Sequence, residues 1–461
     1  MLNEKKEKEE VFLDKKRNKK SFRVTYIQVI VLIFLLIIAV GTALLMLPFA
    51  TKGGESTSVT GALFTATSAT CVTGLVVYDT YTHWTLFGQI VILLMIQVGG
   101  LGFMSVATMF SVILKRKVGL KERELLQEAL STLHIGGIVR LIKFSICGTA
   151  VIEGLGAILL SVRFVPRMGV AKGIWNGIFH SVSAFCNAGF DLMGGGGKFS
   201  SLTAYASDIY VNVIIMGLIV IGGIGFLVWE DICRFGIKFR KYKLHSKIVL
   251  VTTVALISGG AVAFYLLEGG YSLAGYSAGE IILCSAFKSI TFRTAGFATV
   301  DLSKMSPAMV ILSCFLMLIG GSPGSTAGGV KTTTLAVLML GAWSVIRQKK
   351  SVQVFNRRLE GDLMKKACAI IVVYMTVAIS SVVFLSAYEK AALDVAMVEV
   401  FSAVGTVGLS MGLTPSLGEP TKLLLSALMF FGRIGGLSMV LALTGRASTV
   451  SVEVPVEKIS V

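Results

Sequence analysis

Long apolar runs, rather than alternating or amphipathic stretches, organise this chain. Eight of them, near 24–47, 85–114, 138–162, 210–230, 247–267, 308–342, 366–387 and 421–445, reach the roughly 20 residues a helix needs to cross ~30 Å of hydrocarbon. The sixth is too long and is interrupted by Gly and Pro. Inside each consecutive pair lies a shorter semi-apolar stretch, at 58–71, 172–186, 278–291 and 391–404. At about 14 residues each is too short to span and has the length of a re-entrant segment. The pattern predicts an all-α polytopic membrane protein with eight transmembrane helices and four short re-entrant helices.

Composition removes the other classes. The chain has 461 residues, 54% hydrophobic and only 15% charged, whereas soluble domains carry about a quarter charged residues. The net charge of +17 would suggest nucleic acid in a soluble protein. Here it is read as the cytoplasmic bias of membrane proteins, with no nucleic-acid partner and the lipid bilayer as the surroundings. One set of connections carries Lys115, Arg116, Lys117, Lys121 and Arg123, then Arg234, Lys238, Arg240, Lys241, Lys243 and Lys247, then Arg347, Lys349, Lys350, Arg357, Arg358, Lys365 and Lys366. The other set carries Lys52 between the first two spans and Lys390 and Lys422 between the last two. The basic set is expected in the cytoplasm, which places both termini inside. Met1–Arg23 is a charged cytoplasmic tail rather than a signal peptide, and 446–461 a second tail. The seven cysteines form no C-x-x-C and read as small buried apolar residues.

Four segments repeat one pattern. They are Ala69-Thr70-Cys71-Val72-Thr73-Gly74-Leu75, Ala184-Phe185-Cys186-Asn187-Ala188-Gly189-Phe190, Ile290-Thr291-Phe292-Arg293-Thr294-Ala295-Gly296-Phe297 and Ala403-Val404-Gly405-Thr406-Val407-Gly408-Leu409. Each follows a short helix, and the glycines are 115, 107 and 112 residues apart. A second glycine cluster recurs downstream, at Gly99-Gly100-Leu101-Gly102, Gly222-Gly223-Ile224-Gly225, Gly320-Gly321-Ser322-Pro323-Gly324 and Gly432-Arg433-Ile434-Gly435-Gly436. The unit is therefore span, short helix, glycine turn, span, over 24–114, 138–230, 247–342 and 364–445. Each unit begins at a cytoplasmic basic segment, so all four run the same way and can surround one central pore along the membrane normal.

Non-helical backbone at membrane depth is tolerated only when buried in protein or lining a watery cavity. Four such turns around an axis make a ring of carbonyls, which can replace the hydration shell of a small cation. The expected ion-binding positions are Val72, Thr73 and Gly74; Asn187, Ala188 and Gly189; Thr294, Ala295 and Gly296; and Thr406, Val407 and Gly408. Glycine allows the backbone angles that aim carbonyls inward. Short helices pointing their C-terminal ends at the pore favour a cation. The ring has no acidic side chains, which favours a monovalent cation over Ca²⁺ or Mg²⁺. Arg293 stands beside the third turn and is expected in an ion pair. Arg433, inside an apolar span, is a functional candidate as a barrier to cations; the competing reading pairs it with a backbone carbonyl or lets it snorkel.

These motifs, with Gly432-Arg433-Ile434-Gly435 in the last span, resemble the Trk/Ktr/HKT superfamily of potassium transporters, most closely the membrane subunit of bacterial Ktr systems. The likeness runs from about Tyr26 to Leu443. It implies that the four glycines line a potassium filter, with sodium as a candidate activator. It implies a broken second helix in the third unit that acts as a gate, matching Gly320, Gly321, Ser322, Pro323, Gly324, Ser325, Thr326, Ala327, Gly328, Gly329, Val330 and Lys331. Proline and five glycines in that stretch make a helix costly. The likeness also implies a homodimer in the bacterial cell membrane on a cytosolic nucleotide-binding regulatory ring of the RCK/KTN type, with 115–123, 234–247 and 347–366 as docking candidates.

This chain itself shows no nucleotide site: in Gly324–Thr332 the G-K pair of a phosphate loop is broken by Val330, and Gly100-Leu101-Gly102 lacks a third glycine. An enzyme is disfavoured, because the glycine motifs hold no nucleophile or metal ligand and His83, His134, His180 and His245 fit no triad. Glu153, Glu280, Asp394 and Glu399 are expected to pair with Arg or cap short helices rather than relay protons. The alternative within the class is a less selective or sodium-coupled monovalent cation transporter.

Overall fold

The computed structural model describes residues 26–102, 138–349 and 351–436. The two charged tails, the basic segment 115–123, and the far ends of the second and last expected spans lie outside the described residues.

The first unit holds α1 (Tyr26–Leu45), α2 (Val59–Thr70) and α3 (Leu86–Leu101). In α1, Phe34, Ile38, Thr42 and Leu45 are buried at helical spacing while Leu32, Leu35, Leu36 and Val40 face outward. An outward face this apolar is suited to hydrocarbon rather than water. The second unit holds α4 (Ile138–Met168), α5 (Val170–Phe185), α6 (Ile209–Gly223) and α7 (Phe226–Phe235). The third holds α8 (Leu244–Leu267), α9 (Ala278–Thr291), α10 (Pro307–Leu318) and α11 (Thr332–Ile346). A two-residue antiparallel pair, β1 (Gln353–Val354) and β2 (Arg357–Arg358), leads into the fourth unit, α12 (Gly361–Glu389), α13 (Leu393–Gly405) and α14 (Glu419–Ile434).

The helices start where the sequence supplies caps. Ser58 accepts from Gly61 N to open α2, Asp208 from Val211 N to open α6, and Ser306 from Met309 N ahead of Pro307 in α10. Ser277 and Glu280 form a capping box on α9. The units then close into a ring. Helix α3 packs against α5 of the second unit, α6 against α9 of the third, α10 against α13 of the fourth, and α14 back against α2 of the first.

The expected span at 210–230 is not one straight helix. It breaks at Gly225 and α7 leaves α6 at 100°. Gly225 takes a φ of 94°, which only glycine adopts without strain. The Trp229 indole donates to Ile221 O at 2.9 Å, satisfying a carbonyl that the break orphans. Helices α3 and α14 stop at matching glycines, Gly102 with φ 76° and Gly435 with φ 96°. A break in the second helix thus occurs in the second unit as well as in the third. Among the described residues, four helices (α1, α4, α8 and α12) are long and apolar enough to span alone, and α6 with α7 makes a fifth candidate. The first helix of each unit is the long one. The positive residues also extend further than expected: Arg163 and Arg167, at the end of α4, lie 2.6 and 3.9 Å from Asp208. Four cysteines are buried as expected, but Cys147, Cys233 and Cys368 are exposed.

Candidate functional site: a ring of glycine turns and the loop beneath it

The short helices α2, α5, α9 and α13 all end at the same place in their units and hand over to the four repeated turns. Two residues before each glycine the backbone turns left-handed, with φ of 56° at Val72, 58° at Asn187, 70° at Thr294 and 53° at Thr406. The glycines follow with φ of 96°, 68°, 81° and 91°. Alternation of this kind aims successive peptide dipoles to one side instead of opposite sides. Non-glycine residues held left-handed are costly and persist only where the surroundings impose them. Those surroundings are visible. Thr73 N donates to Ser68 O, Ala188 N to Ser183 O and Val407 N to Ser402 O, each at 2.8 Å. The Ser68 and Ser402 hydroxyls accept from Gly74 N and Gly408 N at 3.1 and 3.0 Å. The Ser183 and Thr291 hydroxyls donate to Phe190 O and Phe297 O at 2.7 Å.

The four glycines then meet in cyclic order. A Cβ built on Gly74 would lie 3.2 Å from Gly189 Cα, one on Gly189 2.7 Å from Gly296 Cα, one on Gly296 3.5 Å from Gly408 Cα, and one on Gly408 2.8 Å from Gly74 Cα. No side chain fits at that crossing. The hydroxyls of Thr73, Thr294 and Thr406 are buried with no partner among the described residues, leaving polar oxygens free on the ring. Outside the ring opens a cavity of about 440 Å³ that all four glycines line, together with Asp79, Asp191 and Asp301. The sequence reading missed these three acids. A signal was present: Asp79 and Asp301 each follow their glycine by five residues, and Asp191 follows Gly189 by two. Asp79 also accepts from Thr82 N at 2.7 Å and Phe199 N at 2.9 Å, so it braces two loops of the cavity wall.

On the other side of the turns lies the segment between α10 and α11. It is not helical. Gly320 N donates to Val330 O and Val330 N to Leu318 O, a parallel bridge between Ile319 and Val330 that closes the two ends of the loop together. The loop is tied to its neighbours as well as to itself. Ser322 N donates to Gly223 O, Thr326 N to Gly222 O, Gly329 N to Gly432 O, and Phe226 N to Gly324 O. The Thr326 hydroxyl donates to Phe185 O at 3.0 Å, directly under the second turn. Ser322 and Thr332 share a hydroxyl contact of 2.9 Å, and Lys331 Nζ donates to Ala327 O at 2.7 Å. A Cβ on Gly328 would meet Thr406, so the loop touches the fourth turn too. Pro323, Ser325 and Gly321 complete the same loop; the Ser325 hydroxyl has no partner.

Arg433 of α14 reaches across this layer. Its guanidinium donates to Thr326 O in the loop and to Gly99 O at the end of α3, and also to Gly100 O at 3.1 Å. Of the competing readings of Arg433, the pairing with backbone carbonyls is the one seen, and one of those carbonyls belongs to the loop. Arg293 differs from expectation. Among the described residues it pairs with no carboxylate; its Nη2 lies 3.5 Å from Gly320 O. Among the described residues Glu153 and Glu399 also find no Arg. Glu153 accepts from Gln97 Nε2 at 3.0 Å beside Cys186, and Glu399 holds Ser410 and Thr414. Glu280 and Asp394 sit in the first turns of α9 and α13, as expected of capping acids.

Outward-apolar helices that surround four convergent backbone turns define the class as a membrane protein. The chain belongs to the TrkH cation transport protein family, which matches residues 6–449. It is 41% identical over 439 residues to the potassium/sodium uptake protein NtpJ of Enterococcus hirae, covering 94% of this chain and 96% of that one. It is 40% identical over 433 residues to the Ktr system potassium uptake protein B of Bacillus subtilis, covering 93% and 95%. The fold is similar to the crystal structure of the potassium transporter TrkH from Vibrio parahaemolyticus, with a TM-score of 0.73 at 18% identity over 92% of this chain and 86% of that one.

Proposed function

We propose that the chain is the ion-translocating subunit of a bacterial Ktr-type potassium uptake system, in the cell membrane with both termini cytoplasmic. The four units around one axis form its pore. Potassium is stripped of water at the carbonyls of Val72–Gly74, Asn187–Gly189, Thr294–Gly296 and Thr406–Gly408, entering from the cavity that Asp79, Asp191 and Asp301 make attractive to cations. A membrane potential, inside negative, drives entry by ~2.3 kcal/mol per charge per 100 mV. The observation that carries this reading is the cyclic meeting of four glycines with matched left-handed backbones.

Loop 320–331 and Arg433 form the gate. The loop lies under the turns, and Arg433 both clamps it and puts a cation in the path. The name of the Bacillus subtilis relative, a Ktr system potassium uptake protein, supports a separate regulatory component. We assign that role to a cytosolic nucleotide-binding ring acting on a homodimer of this chain. The name of the Enterococcus hirae relative, a potassium/sodium uptake protein, supports a second reading in which sodium passes as well or is coupled.

The test is rubidium uptake by the purified chain in liposomes, with potassium, sodium or lithium as competitor, beside Gly74→Ser. Block by potassium and not sodium, with weaker discrimination in the variant, is the expected result. Equal competition by sodium moves the assignment to the second reading. Uptake indifferent to every filter substitution overturns the carbonyl ring.

A further inference from the structure

The third unit departs from the others three residues before its glycine. Where Cys71, Cys186 and Gly405 stand, it has Arg293. Arg293 is only 9% exposed, and its Nε has no hydrogen-bond partner. Across from it on α8, the Thr253 hydroxyl is also buried and without a partner. The two residues line one cavity of about 20 Å³, walled by Ile219, Val220, Ile257 and Ile290 and bounded by Gly321 of the loop. A space of roughly 10–15 Å³ already holds a water molecule, so a small guest fits. The backbone oxygens at its rim are taken: Gly223 O accepts from Ser322 N and Gly321 O from Thr332 N.

The cavity thus offers an unused guanidinium N–H and an unused hydroxyl, set in apolar walls, with no carboxylate to balance the charge. Water would fill the hydrogen bonds but leave a buried positive charge uncompensated, a costly state. An anion supplies both. We infer that this cavity binds one monovalent anion of halide size, chloride in ordinary media, held by Arg293 Nε and Thr253 Oγ1. Bound there, the anion cancels the formal charge of Arg293 beside the third turn, and it touches Gly321 of the loop. The consequence for transport rests on the pore reading above; the binding site itself does not.

Two readouts of the full-length protein keep those apart. Crystals grown in potassium bromide should show an anomalous bromine peak between Arg293 and Thr253. In detergent, thermal unfolding should rise saturably with chloride or bromide relative to gluconate at constant potassium. Thr253→Val, which keeps the side-chain shape, should weaken the chloride midpoint about tenfold, as loss of one charge-assisted hydrogen bond implies. Arg293→Gln should abolish the anion dependence. An ordered water without bromine signal, identical unfolding in chloride and gluconate, or a chloride effect unchanged in Thr253→Val, each overturns the assignment, even if Arg293→Gln fails to fold. If binding is present while rubidium uptake ignores the anion, the site stands and its link to transport falls.

Discussion

The ring of turns and the layer beneath it are built on opposite principles. In the ring, four units that differ in side chain share one backbone: Val72, Asn187, Thr294 and Thr406 adopt the same left-handed angle, and a glycine follows each two residues later. Beneath, the units stop being equivalent. The second helices of the other units stop at Gly102, at the Gly225 turn and at Gly435, while that of the third unit gives way to a twelve-residue loop hydrogen-bonded to the second and fourth units. On the function proposed above, coordination of a spherical cation would ask for the equivalence of the ring, and a device that opens would ask for one element whose bonds can be exchanged without dismantling the rest. The same contrast appears in two buried arginines. Arg433 spends its donors on three carbonyls from two units; Arg293 leaves one unspent beside an empty space.

This contrast can be broken first at the ring. Gly296→Val places a side chain against Gly189 Cα, 2.9 Å from the built Cβ, and forces a β-branched residue to φ 81°. Rubidium uptake should fall below about a hundredth of wild type while the protein still elutes as a folded species, since steric closure of the path leaves no partial route. Retained uptake would mean ions do not pass the glycine crossing.

The next largest effect is expected beneath. Arg433→Gln removes the clamp on Thr326 O, Gly99 O and Gly100 O. Hydrogen bonds to charged groups contribute ~1.5–3 kcal/mol, so the open population should rise by roughly tenfold or more. Uptake without any partner should increase and potassium preference over sodium should persist. A loss of selectivity instead would make Arg433 part of the ring rather than the layer below. Thr326→Val removes the hydroxyl's bond to Phe185 O, 3.0 Å, and its longer contact with the Asn187 side-chain amide, 3.4 Å, and should act in the same direction by about fivefold, in line with ~1 kcal/mol for a neutral hydrogen bond. Smallest is Ser58→Ala, which removes the cap on Gly61 N, 3.2 Å, at the far end of α2. It should cost about 1 kcal/mol of stability by thermal unfolding and leave the ion competition series unchanged. A changed ion preference there would show that the short helices tune the ring from their remote ends.

Much of the architecture was legible because hydrophobic length is a local property. The short segments expected at 58–71, 172–186, 278–291 and 391–404 are helices at Val59–Thr70, Val170–Phe185, Ala278–Thr291 and Leu393–Gly405. The interruption of the sixth apolar run was legible from Pro323 and its glycines, and it falls between Leu318 and Thr332. The 100° turn at Gly225 was not legible, because a single glycine in an apolar run is equally compatible with a continuing helix. What decided it was Trp229 reaching back to Ile221 O and Gly324 O accepting from Phe226 N, contacts between distant segments.

The sequence alone therefore determined the class, the four-unit order and the identity of the turn residues, since each is written in composition, spacing or repetition along the chain. Only the tertiary structure decided that the four glycines meet in one cycle, that Asp79, Asp191 and Asp301 share their cavity, and that Arg433 is satisfied where Arg293 is not. Those outcomes depend on which groups from different units come within hydrogen-bonding or van der Waals reach, and that is fixed by packing around the axis rather than by any local run of residues.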